Sequence, residues 1–226
     1  MNLFIVHPDP FEAAKMLPDK LVVKMPLEVA QLLCTAHRVI DDPDSEGFER
    51  TAVDHEQLYK KTHQNHPCGV WVRGRASSYA WAWSHMQGLL DEYQHRYGRQ
   101  HKIRADGLEE LLRVIPHHME DTGEPLSLAD APVCMPDEFI FQGNHPDHPH
   151  LHASYQNYLA NGKGYTQYGG GYVRCPSGVP KWIVAWQRLW SNKRDLLKIQ
   201  IHYDMQEGRL WDLTKLMISK AERGGW

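Results

Sequence analysis

No stretch of the chain approaches the roughly 18 consecutive apolar residues that a membrane-spanning helix needs. The opening "MNLFIVHPDP" has neither the basic head nor the apolar length of a secretory leader. Cysteine is scarce: Cys34, Cys68, Cys134 and Cys175 lie far apart, with no CxxC pair. That pattern favours reduced thiols in a cytoplasmic setting and disfavours zinc or a disulfide framework. "YGGGY" lacks the lysine and Ser/Thr that follow a phosphate loop, and the strand context of a dinucleotide fold, so a nucleotide hydrolase of that class is rejected. There is no GxSxG, no cysteine in a nucleophile signature, no internal repeat and no low-complexity linker.

What is present is histidine, tryptophan, tyrosine and segregated charge. The formal net charge is −3, which by itself argues against nucleic acid. Its distribution argues the other way. Residues 41–57 hold seven acids and one arginine, and residues 105–138 hold nine acids and one arginine. Residues 58–104 carry eight Lys/Arg against two acids, and residues 139–226 carry eleven against six. A basic face on an acidic protein is therefore available for phosphate, with solvated surface as the plainer reading.

The length suits one large domain, and the elements read as mostly α: a single-domain helical fold with a short N-terminal strand or extended arm, "NLFIV". In "DPFEAAKML", Asp9 is the expected N-cap, Pro10 the first helical residue and Glu12 the capping-box partner. Pro26 is expected to open a second helix with Val29, Leu33, Ala36 and Ile40 inward and Glu28, Gln31, Thr35 and Arg38 on a polar stripe. A break is expected at Pro67 and Gly69. "SSYAWAWSHMQGLLDEYQHRYG" is the strongest helix, with Tyr79, Ala82, Met86, Leu90, Tyr93 and Tyr97 or their neighbours as core and Trp81, His85, Glu92 and Arg96 on another side. "GLEELLRVIPHH" reads as a helix ending near Pro116, and "HLHASYQNYLANGKGY" as one ending near Asn161 and Gly162. Helices are also expected from Pro180 and in "LTKLMISKAER".

Two features invite chemistry. "NHPDHPHLH" places His145, His148, His150 and His152 within eight residues, a density that suggests metal. Two prolines and the lack of any common focus favour an adventitious site, so neither metal nor cofactor is assigned. "DKLVVKMPLE" sets Asp19, Lys20, Lys24 and Glu28 around an apolar run. The plain reading is a helix-dipole carboxylate with exposed lysines. The alternative is an amine that attacks an electrophilic carbon beside a carboxylate that moves protons. "THQNHP" adds His63, Asn65 and His66 in a turn that either orients a substrate or only supports itself.

Taken in order, "HPDPFEAAKMLPDKLVVKMPLEVAQLLCTAHRV", "THQNHPCGVWVR", "EYQHRYGRQHK", "YQNYLANGKGY" and "PKWIVAW" resemble phage-encoded proteins labelled pyrimidine-dimer DNA glycosylases. The resemblance covers most of residues 1–190, with Thr-His-Gln-Asn-His-Pro its most specific block; residues 191–226 read as a C-terminal extension. It implies an all-helical fold and a glycosylase/AP-lyase reaction on a pyrimidine in duplex DNA, without cofactor. By position, the nucleophile is the α-amine of Met1, with Lys20 and Lys24 as other amines, and the acid/base is Glu28. Asn2 is too large for efficient removal of Met1, and Leu21 stands where the group carries a histidine. Gln31, His63, Asn65, His66, Arg73 and Arg96 are the expected pocket or phosphate contacts. Trp71, Arg75, Trp81, Lys181, Trp182 and Trp186 continue a basic, aromatic lane suited to phosphate contact and base stacking. A monomer is expected. A base-modifying transferase, a nucleotide hydrolase or a non-catalytic DNA-binding factor are the other readings.

Overall fold

A computed structural model describes residues 1–42, 53–119, 121–123, 125–141 and 151–163, with the backbone alone at 165–166 and 173–174. The fold is mostly α. Along the described residues run α1 (Pro10–Met16), α2 (Asp19–Ile40), α3 (Pro67–Gly74), α4 (Ala76–Tyr97), the single turns α5 (Lys102–Ala105) and α6 (Leu108–Leu111), and α7 (Leu151–Asn157). A π-helical turn, Tyr158–Gly162, continues α7. The ladder described is two residues long, β1 (Tyr165–Thr166) parallel to β2 (Val173–Arg174).

The backbone clusters into two compact units that alternate along the chain. The first holds Met1–Phe4, Asp9–Lys15 and Leu21–Cys134; the second holds Ile5–Pro8, Met16–Lys20 and Met135–Trp226. The expected helices at Pro180 and "LTKLMISKAER", and the extension at 191–226, lie outside the described residues.

Helix starts follow the local chemistry. Asp9 Oδ1 accepts the N–H groups of Phe11 and Glu12, both at 2.9 Å, and so caps α1 as its sequence indicates. Pro26, by contrast, does not open a helix: α2 begins seven residues earlier and carries Pro26 in its interior. An interior proline costs about 3 kcal/mol through its lost N–H and its ring. Leu21, Val22, Met25 and Val29, all buried around it, outweigh that at roughly 2 kcal/mol per side chain. Nor does Pro67 break the chain. It occupies the first helical position of α3, where a missing N–H is harmless, and His66 Nδ1 caps the turn by accepting the Cys68 N–H at 3.2 Å.

In the first unit α4 is the central helix. Tyr79, Ala82, Met86, Leu90 and Tyr93 are buried as the periodicity requires, and Gly98 ends the helix at φ 66°. Trp81 and His85 are buried too, against expectation, and stack at 5.1 Å. The reason is a close approach of α1. A Cβ on Gly88 would sit 2.9 Å from Ala14 Cβ and 3.1 Å from Phe11 Cα, so α1 covers this side of α4. His85 Nδ1–H donates to the Pro10 carbonyl at 2.9 Å, and burial drives its pKa down to about 4.

The polar stripe of α2 is spent on backbone. Thr35 Oγ1 donates to Gln31 O and accepts the Thr62 N–H, while Arg38 donates to the carbonyls of His55, Leu58 and Tyr59 at 2.6–2.9 Å. These bonds hold the segment that leads into "THQNHP".

The N-terminal run forms no strand among the described residues. It is an irregular arm in which Asn2 Oδ1 accepts the Phe4 N–H at 3.1 Å and Phe4 takes φ 49°. In the second unit, His152 Nδ1–H donates to Ile5 O and Gln156 Nε2 donates to Val6 O, tying α7 to the arm's next residues. Gly162 closes that helix tightly, since a Cβ there would lie 2.5 Å from Tyr158 Cδ2.

Candidate functional site

The start of α3 gathers the residues that carry chemistry. His63 has φ 47°, and its carbonyl accepts the His66 N–H at 2.9 Å; its Nδ1 lies 2.7 Å from Thr62 Oγ1. This turn exposes His63 and Asn65 and leaves His66 half-buried at the cap. Arg73, two helical turns on, reaches back to the Gln64 carbonyl at 2.5 Å, and its partial burial lowers its pKa. Gly69 admits that packing, with Leu32 Cδ2 3.5 Å from where a Cβ would stand.

Residues from far along the chain complete the site. Asn2 Nδ2 donates to the Cys134 carbonyl at 2.7 Å, fixing the chain end against the 131–135 segment. Cys68 and Cys134 Sγ lie 3.6 Å apart, and the Leu3 N–H is directed at the Cys68 sulfur. One ligand atom from each of His66, Cys68 and Cys134 falls within 4.8 Å of the others. The positive α-amine of Met1 acts on all three of these groups.

The electrostatics follow from that arrangement. His66 has a lowered pKa, first because it is partly desolvated and then because the α-amine and His63 oppose a second positive charge. Glu28 acts on His66 in the opposite sense. The two thiols share one hydrogen bond: Cys68 keeps its proton and donates it, which raises its pKa and lowers that of Cys134. The Cys68 N–H and the α-amine further favour the Cys134 thiolate.

The other expected residues are distributed unevenly. Glu28 is paired with Lys24 at 2.6 Å as an i,i+4 couple, its side chain 13% exposed against 59% for the lysine. That pair answers part of why charge surrounds the apolar run of α2. Lys20 is exposed and Gln31 half-buried on the same helix. Trp71 is half-buried and meets Trp81 edge-on at 6.1 Å. Trp81, buried in the core, is not a surface stacking platform. Arg96 is bound to Glu92 at 2.8 Å and to the Lys15 carbonyl at 3.0 Å, so it braces α4 against α1. Arg75 lies 3.8 Å from Asp130. Lys181, Trp182 and Trp186 lie outside the described residues, as do His145, His148 and His150.

Sequence reasoning passed over the cysteines. It looked for closely spaced pairs, whereas Cys68 and Cys134 are separated by 66 positions and joined by tertiary structure. The available signal was local: His66 and Cys68 flank Pro67, which puts an imidazole and a thiol on one helix start.

No protein-family model matches the chain, and neither a curated protein nor a solved structure matches it. Its function is therefore argued from the site itself.

Proposed function

We propose that the chain is a DNA base-excision glycosylase and AP lyase acting on a damaged or modified pyrimidine in duplex DNA, with the α-amine of Met1 as nucleophile and Glu28 as acid/base. The observation that supports this reading is that the amine and the Glu28 carboxylate each act electrostatically on one imidazole, His66. The resemblance of the Thr-His-Gln-Asn-His-Pro block and of the lysine-bearing segment to the phage glycosylases supports it.

Among the amines, the chain end is the one held in place. Asn2 and Leu3 are both bonded to the cysteine pair, whereas Lys20 is exposed and Lys24 is engaged with Glu28.

The reaction balances as follows. The amine nitrogen bonds to sugar C1′ as the bond from C1′ to the base breaks, and the base leaves with the electron pair and takes up a proton. Glu28 takes a proton from the attacking nitrogen and delivers it to O4′ as the C1′–O4′ bond opens to a protonated imine. The carboxylate then takes the C2′ proton as the 3′ phosphate leaves with its electron pair, and water hydrolyses the imine to release the enzyme. His63 and Asn65, exposed at the turn, and half-buried Trp71 are suited to touch an unstacked nucleotide beside the amine.

Borohydride reduces an imine to a stable amine. Incubation of the chain with duplex DNA bearing an abasic site, with borohydride, is therefore expected to give a covalent protein–DNA adduct. DNA binding without an adduct or a cleaved strand on abasic, thymine-dimer and modified-pyrimidine substrates would instead favour the non-catalytic reading.

A further inference from the structure

We infer that His66, Cys68 and Cys134 form a Cys2His site for zinc, with no fourth protein donor among the described residues. The inference is independent of the glycosylase reading and concerns the metal alone.

Distance and donor type both point to zinc. Two Zn–S bonds of about 2.3 Å at a tetrahedral angle place their sulfurs about 3.8 Å apart. Cys68 and Cys134 Sγ stand at 3.6 Å. A disulfide would need about 2.05 Å, so the two sulfurs are not joined to each other. The imidazole completes the triangle, with all three donor atoms inside 4.8 Å, so a small closure of one side chain suffices. Two thiolates and an imidazole form a borderline-to-soft donor set, which zinc prefers and which magnesium and calcium do not.

The three donors are also rigidly presented. His66 and Cys68 sit at the cap and second residue of α3, their relative placement set by the first helical turn. Cys134 is held through its own carbonyl by the buried Asn2 side chain. Ligation through either ring nitrogen of His66 replaces its acceptance of the Cys68 N–H, a local bond that the metal displaces. Three protein donors are one short of a closed structural site, and zinc with three protein ligands takes water or substrate in the fourth position. Next to the site stands the Met1 amine, the one further nitrogen acting on all three groups.

The test is cobalt(II) titration of the full chain under a phosphine reductant, because cobalt reports thiolate ligation by colour. The expected result is one cobalt per chain, a thiolate-to-cobalt charge-transfer band, the visible bands of a tetrahedral ion, and displacement by one equivalent of zinc. Cys134→Ser, which leaves the Asn2 hydrogen bond in place, should weaken cobalt binding by about 100-fold or more, beyond what residues that merely orient ligands contribute. Cys34→Ser, which removes a buried thiol outside the cluster, should keep the band. Helical circular dichroism checks that each variant folds. His66→Gln gives a second reading, retaining the charge-transfer band while its visible bands shift. No band in the reduced chain, or a band that survives Cys134→Ser in a folded protein, would overturn the assignment.

Discussion

Around Asp41, opposite partners meet. The carboxylate accepts the His117 and His118 N–H groups at 2.9 and 3.1 Å, and lies 3.0 Å from His118 Nδ1. His37, one turn back on α2, donates from Nε2 to the Val114 carbonyl at 3.0 Å, and Tyr79 donates to the Leu112 carbonyl at 2.9 Å. Around Cys68 the same kinds of residue meet differently. Two sulfurs and an imidazole turn their lone-pair atoms toward each other, beside a positive amine and a carboxylate. The first cluster joins α2, α4 and the 112–118 segment, with only His37 Nδ1 of its named polar atoms lacking a hydrogen-bond partner among the described residues. The second brings together three residues able to ligate a metal, already hydrogen-bonded to one another and to nearby backbone. That difference, more than residue type or burial, separates a polar cluster that supports the fold from one that can do chemistry.

Substitution should widen the contrast. Removing the Asp41 carboxylate with Asp41→Ala takes away the acceptor of the His117 and His118 N–H groups, and is expected to cost about 1–3 kcal/mol in urea unfolding. Cys134→Ser should cost less than about 1 kcal/mol, because it removes only a weak thiol contact. Equal losses at the two positions would erase the distinction.

Acid should act on the supporting residues in two windows. His85 is held neutral by burial, with a pKa lowered from 6.5 to about 4. The unfolded chain therefore binds a proton that the folded chain does not between those values. Stability is complete above about pH 6.5 and falls by up to about 3 kcal/mol as pH drops to about 4. His85→Phe should flatten that slope in denaturant midpoints taken at pH 7.5, 6 and 5. Asp41 acts lower down. Burial would raise its pKa, but the His118 and His117 N–H groups and the His118 ring outweigh that and hold it below the ordinary carboxylate value. Its contribution is present above about pH 3.9 and is lost as pH falls below it.

Packing gives a smaller effect. Gly88→Ala forces a methyl against Ala14 and the Phe11 backbone, and should destabilise by about 1–3 kcal/mol in thermal or urea unfolding. Smallest of all, Lys24→Ala should change stability by no more than about 0.5 kcal/mol, since an i,i+4 pair with an exposed lysine is weak. If Lys24→Ala abolishes borohydride trapping while stability holds, the assignment of the nucleophile to the chain end is wrong.

The legible part of the fold was that written in short-range patterns. Asp9, Pro10 and Glu12 mark a helix start that the structure contains, and the 3.6-residue period of α4 places Tyr79, Ala82 and Met86 inside. Pro26 misled because local cost was weighed without the apolar burial that surrounds it. Trp81 and His85 misled because a second buried side of α4 exists only where α1 packs, at Gly88. Within the site, His66 and Glu28 were legible from the turn and the helix. The pairing of Cys68 with Cys134, and the anchoring of the chain end by Asn2, depend on contacts across 66 and 132 positions that no local pattern carries.

The measurement that bears most directly on the proposed chemistry is peptide mapping of the borohydride-trapped adduct by mass spectrometry. The account predicts that the reduced sugar remnant is carried on the N-terminal peptide, on the nitrogen of Met1, and that Glu28→Gln lowers trapping while DNA binding persists. A remnant on Lys20, Lys24 or any other lysine, or an adduct that forms equally well after the α-amine is acetylated, would contradict it.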